Sequence, residues 1–235
     1  MKVQKYAQST LVFQNQLGRR MLIDPGKYNF FGGFGVGDFG SVDVLVITHK
    51  HEDHFYLDAV KSIVGLYHPI VLTNPEVAMV LQKEMIGSTV VQVGDVCEIM
   101  GFTLTFVRTD HVVRDEFIIN FGLVIEADQK RVYYTSDTRL IDPSLLSTEK
   151  VLEPDVLFVP ISDRGVVMSI DDALYFASEI RPKVVVPIHY DSPKDKDRIR
   201  PEDFINRFNT LKIFLKQLSN IEVRVLSFGE EMDLR

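Results

Sequence analysis

Six consecutive residues, His49-Lys50-His51-Glu52-Asp53-His54, stand directly after the apolar run Val42-Asp43-Val44-Leu45-Val46-Ile47-Thr48. Crowded imidazoles and carboxylates gain nothing from packing and are costly to bury unpaired. The cluster therefore belongs where a buried strand meets solvent, and the carboxyl end of the strand over 42–48 has to open onto a polar site. His49, His51, Asp53 and His54 are the candidate metal ligands among them. His49 and His51 are two apart, so in an extended loop both imidazoles can converge on one ion. Asp53 and His54, one step further round the turn, can address a second, since paired hydrolytic metals sit ~3.5–4 Å apart.

The remaining ligands have to come from other strand ends, and three candidates occur there: His111 after 102–108, Asp137 after 132–136 and His189 after 184–188. A lone histidine beyond a strand is more often an ordinary hydrogen-bonded residue. Here five of the six histidines fall at such ends, and only His68 has no part. Cys97 is the sole cysteine, which excludes an internal disulfide and thiolate ligation as a theme. Nitrogen and oxygen donors suit zinc first, with manganese or iron as alternatives.

The coarse pattern predicts strands over 9–14, 19–24 and 42–48, the first pair turning at Gly18. Helices follow over 57–66 and 75–86, the second opening after Asn74 with Pro75 at its first position. Strands return over 89–99, 102–109, 117–127, 130–135 and 156–160. A helix begins at Ser169, with Asp171 and Asp172 in its first turn, and ends before Pro182. A strand over 183–188, a helix over 201–218 and a strand over 221–227 complete the chain. Strands followed by helices, twice over, suggest two similar halves with sheets inside and helices outside.

At 235 residues, 46% hydrophobic and 25% charged, the chain can bury a full core and is expected to form one domain over 1–235. A net charge of −7 argues against a nucleic-acid or anionic-membrane surface. No apolar run suits a signal peptide or a membrane span, so a cytoplasmic protein without a membrane partner is expected.

Thr48-His49-Lys50-His51-Glu52-Asp53-His54, with His111, Ser136-Asp137-Thr138 and Pro187-Ile188-His189-Tyr190, resembles the metallo-β-lactamase superfamily of metal-dependent hydrolases over nearly the whole chain. Leu22-Ile23-Asp24-Pro25 is similar to its strand ending in an aspartate that supports the metal loop. The segments 179–190 and 168–173 resemble its small UlaG-like branch. The chain departs from that branch at Gln8, where many relatives have histidine, at Ser136, where glycine is usual, and at Ser169-Ile170. The resemblance implies an α+β fold, the four-layer αββα sandwich of two mixed sheets flanked by helices. It also implies two divalent ions, one on His49, His51 and His111, the other on Asp53, His54 and His189, with Asp137 bridging.

Such a site lowers the pKa of water from 15.7 toward ~7 and supports hydrolysis without a covalent enzyme intermediate, with Asp53 orienting the water or taking its proton. Counting formal charge favours a small anionic ester, lactone or phosphodiester. Arg139, Arg164 and Tyr190 are candidate substrate contacts. RNA processing in the manner of tRNA 3′-end ribonucleases is an alternative that the acidic balance disfavours, and a non-catalytic metal-binding regulator of the same fold is another.

Two stretches invite other readings. Gly35-Val36-Gly37-Asp38-Phe39-Gly40 fits GxGxxG but leads into a strand rather than from a strand into a helix, so it is not read as a dinucleotide site. Phe30, Phe31, Phe34 and Phe39 around it could wall a pocket, pack a subunit interface in a homo-oligomer, or join the core. The alternating charges of 194–200 suit a solvated loop that could gate the site.

Overall fold

The computed structural model describes residues 1–31, 33–140, 142, 153–191, 199–214 and 216–234. Its first half runs β1 (Lys2–Lys5), β2 (Leu11–Gln14), β3 (Arg20–Ile23), β4 (Val44–Ile47), α1 (Leu57–Tyr67), β5 (Ile70–Thr73), α2 (Pro75–Lys83) and β6 (Thr89–Val90). The second comprises β7 (Val96–Ile99), β8 (Phe102–Val107), a small hairpin β9 (Val112–Val113) and β10 (Glu116–Phe117), β11 (Gly122–Ala127), β12 (Lys130–Tyr134), β13 (Val156–Pro160), α3 (Ile170–Ile180), β14 (Val184–Ile188), α4 (Pro201–Lys212) and β15 (Glu222–Val223). The last strand, β16 (Glu231–Asp233), returns to the first sheet.

Two seven-stranded mixed sheets result, ordered β16-β1-β2-β3-β4-β5-β6 and β15-β14-β13-β12-β11-β8-β7. In the first, β16 through β3 pair antiparallel and β3 through β6 parallel. In the second, β15 through β12 are parallel and the rest antiparallel.

Side-chain alternation along each strand builds the layers. Val44 and Val46 of β4 join Phe106, Leu123, Phe158 and Ile188 in a core between the sheets. Leu45 and Ile47, on the opposite face, pack with Val60, Ile63, Val77 and Leu81 of α1 and α2. β13 behaves likewise, giving Phe158 to the central core and Leu157 and Val159 to a third cluster with Leu174, Phe176, Phe204 and Phe208 of α3 and α4. The expected αββα sandwich is thus formed. Strands buried on both faces read as unbroken apolar runs, because neither face meets water, and each fully buried Leu, Val or Phe contributes about 1.5–3 kcal/mol.

Several boundaries differ from the sequence reading. The run 89–99 divides into β6 and β7, which lie in different sheets and are separated by a turn with Gly94 at φ +97°. Strand β11 starts at Gly122, and Phe117 pairs instead with Val112 in the β9–β10 hairpin. The last helix ends at Lys212, followed by a 3-10 turn over Lys216–Leu218. Strands β1, β5 and β16 were not expected; they are short, and β1 alternates polar and apolar side chains with a buried lysine.

The Gly-rich stretch opens no α-helix from a strand: Val36–Phe39 is a 3-10 turn whose Gly35 N–H bonds Asp38 Oδ2 at 2.7 Å. Phe39 is fully buried and packs edge-on against Tyr6, Phe30 and Phe34, whereas Phe31 is half exposed. Core packing is therefore the role of Phe39. Of the charge-alternating segment, 194–198 lies outside the described residues.

Candidate metal centre

The carboxyl ends of β3, β4, β8, β12 and β14 converge on one mouth and bring together all seven of the proposed ligands. Two groups of ligand atoms form there, each within 4.8 Å: His49, His51, His111 and Asp137, and Asp53, His54, Asp137 and His189. Asp137 belongs to both. His51 Nδ1 is 3.1 Å from both His49 Nε2 and His111 Nε2. A tetrahedral ion with bonds of about 2.0–2.1 Å sets neighbouring nitrogens about 3.3 Å apart, so this triad already has the spacing of a coordination face.

The second group carries its own test of fit. His54 Nε2 and Asp137 Oδ1 lie 3.0 Å apart, fully buried, yet neither has a hydrogen-bond partner among the described residues. Buried polar atoms left in this way are costly, and a cation shared between them satisfies both. Asp137 Oδ2 faces His189 Nε2 at 3.3 Å, His111 Nε2 at 3.8 Å and His49 Nε2 at 3.9 Å. Asp53 Oδ2 is 3.3 Å from His189 Nε2. The donor set fits divalent ions that accept nitrogen and oxygen.

Asp24 organises the rings from behind. Fully buried at the end of β3, it accepts from Thr48 N–H at 2.7 Å, Thr48 Oγ1 at 2.7 Å, Tyr134 Oη at 2.7 Å and His54 Nδ1 at 2.8 Å. The single Thr48 hydroxyl proton goes to this carboxylate, so the 3.1 Å contact of Thr48 Oγ1 with His49 Nδ1 is donated by the imidazole. Both rings therefore carry a proton on Nδ1 and turn Nε2 to the mouth. Ser136 Oγ lies 2.9 Å from Thr48 Oγ1 and 3.0 Å from Asn120 Oδ1, and Asn120 Nδ2 donates to the Asp137 carbonyl at 2.6 Å.

Gln8, Asp24, Ser136 and His189 all adopt left-handed backbone, at φ +55°, +50°, +54° and +66°. Such strain in non-glycine residues gathers where the surrounding structure over-determines a site.

The electrostatics divide the site. Burial holds His49 well below the usual histidine range and brings His111 to about 4, so the triad is neutral. Burial also opposes charge on His54 and His189, but the facing carboxylates, Asp137 foremost, override it and raise both, His189 to about 10. Asp53 and Asp137 stay ionised despite burial, held below the usual carboxylate range by these two histidines.

The three candidate substrate contacts are not members of the two ligand groups. Arg139 lines a cavity of about 370 Å³ with Leu140, Ser162, Asp163, Val167 and Asp172, none of them a member of the two ligand groups. Arg164 lies on the exposed turn after Ser162, its N–H bonded to Ser162 Oγ at 3.1 Å. Tyr190 directs its hydroxyl to the Leu226 carbonyl at 3.2 Å. Thr48, Asn120 and Tyr134 were not singled out from sequence. Their partners are distant along the chain, and only the position of Thr48, next to His49, hinted at its role.

A family profile described as a beta-lactamase superfamily domain matches residues 2–189. A metal-dependent hydrolase of Staphylococcus carnosus (strain TM300) is 31% identical over 247 residues, covering 99% of this chain and 99% of that one. One from Methanocaldococcus jannaschii is 29% identical over 194 residues, covering 82% and 83%. Among solved structures, Igni18, a metallo hydrolase from Ignicoccus hospitalis, is similar with a TM-score of 0.75 and 24% identity over 98% of this chain and 97% of that one. An isothiocyanate hydrolase from Delia radicum gut bacteria gives 0.75 at 19% identity, covering 99% and 98%. The chain belongs to the metallo-β-lactamase superfamily, among its metal-dependent hydrolases.

Proposed function

We propose that residues 1–235 form one dinuclear metal-dependent hydrolase domain, UlaG-like in kind, acting in the cytoplasm on a small anionic ester, lactone or phosphodiester. The observation that carries this reading is the sharing of Asp137 by two four-residue ligand groups. His49, His51 and His111 would hold one ion and Asp53, His54 and His189 the other, with Asp137, whose Oδ2 faces histidines of both groups, shared between them. When bound, zinc, or else manganese or iron, supplies Lewis acidity and lowers the pKa of water from 15.7 toward ~7.

The chain's own groups supply orientation and proton handling. Asp24 and Thr48 fix His54 and His49 with Nε2 facing inward. Asp53 is the most exposed of the three carboxylates, at 21% against 3% for Asp137 and 0% for Asp24. With Oδ2 facing His189, its other oxygen can accept the proton of the attacking water and pass it to solvent. Four positive charges from two divalent ions against Asp53, Asp137 and one hydroxide would leave one formal positive charge before Asp24 and the surrounding field are counted, which supports an anionic substrate.

The test is a screen of metal-reconstituted protein against phosphodiesters, phosphorylated lactones, carboxylate esters, thioesters and structured RNA. Metal-dependent turnover of a small anion, lost on chelation and in Asp53→Ala, is expected. Faster cleavage of structured RNA, or full metal loading with no turnover, would overturn the proposed substrate class.

A further inference from the structure

The two histidines turned by Asp24 have ring partners behind them; His189 does not. Its Nδ1 is buried without a hydrogen-bond partner among the described residues, so its placement depends on its backbone. That backbone is tied across the sandwich. His189 N–H donates to the Gln8 carbonyl at 3.2 Å, and Gln8 N–H donates to Asp191 Oδ1 at 2.6 Å. Asp191 Oδ2 accepts from Lys5 Nζ at 2.6 Å, and Lys5 Nζ also donates to the Tyr6 carbonyl at 2.9 Å. The same ammonium lies 5.1 Å over the Tyr190 ring. The turn after β1, in the first sheet, and residues 189–191, in the second, are thereby held by reciprocal bonds.

Lys5 is fully buried in a short strand, where an ammonium is among the costliest groups to place. A buried ion pair adds little net stability over well-packed apolar side chains, because desolvation offsets the attraction. What a pair does provide is one geometry, since both oxygens of Asp191 are committed, one to Gln8 N–H and one to Lys5. We propose that Lys5 and Asp191 are positioning residues that hold His189, through Gln8, in the left-handed conformation its ion requires. This inference rests on the two-ion reading of the site.

The test uses the full chain, stripped of metal and reloaded with Co²⁺, followed by visible absorption and calorimetry, with His189→Ala identifying the binding step that belongs to the His189 group. In Lys5→Met and Asp191→Asn that step is expected to weaken by about tenfold or more, the usual effect of losing the support of a ligand, while the other step stays within about twofold. Lys5→Met alone leaves a carboxylate unpaired and so loses stability as well. The double variant Lys5→Met/Asp191→Leu removes both charges; its melting temperature is expected to recover while the His189 step stays weak. An unchanged His189 step in the double variant, or parallel weakening of both steps, would overturn the clamp. Uptake of a single ion by the wild type overturns the two-ion reading itself, and shows this before any variant is compared.

Discussion

Asp24 is where single-residue chemistry counts most, because one carboxylate receives two hydroxyls, an amide and an imidazole. In Asp24→Asn the side-chain NH₂ cannot accept, so either the Thr48 amide on Oδ1 or the three donors on Oδ2 lose their partner. Metal affinity is expected to fall about 10–100-fold, measured by competition with a chromogenic chelator, with the fold retained by circular dichroism. Gly26 is the second sensitive point, for a steric reason. A Cβ there would stand 1.7 Å from the Asp53 carbonyl oxygen, so Gly26→Ala has to push the Asp53–His54 segment away. A loss of about 1–3 kcal/mol in urea denaturation is expected, together with weakened metal uptake. At this scale the ligands were legible because histidine and aspartate at strand ends have few other uses. Lys5, Asp191, Asn120 and Tyr134 were not, since each acts on a partner that only the folded chain brings near.

Among the elements, α3 shows how local rules fix a boundary near the mouth. Ser169 Oγ accepts from Asp172 N–H at 3.1 Å and Asp172 Oδ2 accepts back from the Ser169 hydroxyl at 2.8 Å. Ser169→Ala is expected to cost about 1 kcal/mol in chemical denaturation and to leave metal content unchanged. Arg207 of α4 reaches Asp171 with two bonds, of 2.6 and 2.9 Å, which hold that carboxyl below its usual range. The pair's contribution is therefore present above the unfolded aspartate pKa of about 3.9 and fades as pH falls through the lower folded value. Both partners are largely exposed, so Arg207→Ala should lower stability only slightly at pH 7 and still less at pH 2, read by urea denaturation at the two pH values. Helix starts were readable because Ser169, Asn74 and Pro75 act on their own neighbours. Strands β1, β5 and β16 escaped notice because pairing in a sheet is decided by distant strands.

For the molecule as a whole, the mouth draws ligands from both sheets: His49, His51, Asp53 and His54 come from the first, and His111, Asp137 and His189 from the second. Ions held there would tie the two halves, as the Tyr134–Asp24 bond does. Chelation should lower the melting temperature, and restoring metal at about 100 times its Kd should return ~2.7 kcal/mol of stability. The architecture was legible as a class because repeated strand and helix patterns allow few layered arrangements. The crossing of β16 back to β1 was not, since it depends on pairing between chain ends. The central claim, that two ions share Asp137, is tested most directly by anomalous diffraction from metal-loaded crystals. The account predicts two peaks ~3.5–4 Å apart, one among His49, His51 and His111 and one among Asp53, His54 and His189. A single peak, or a second one away from His189, would contradict it.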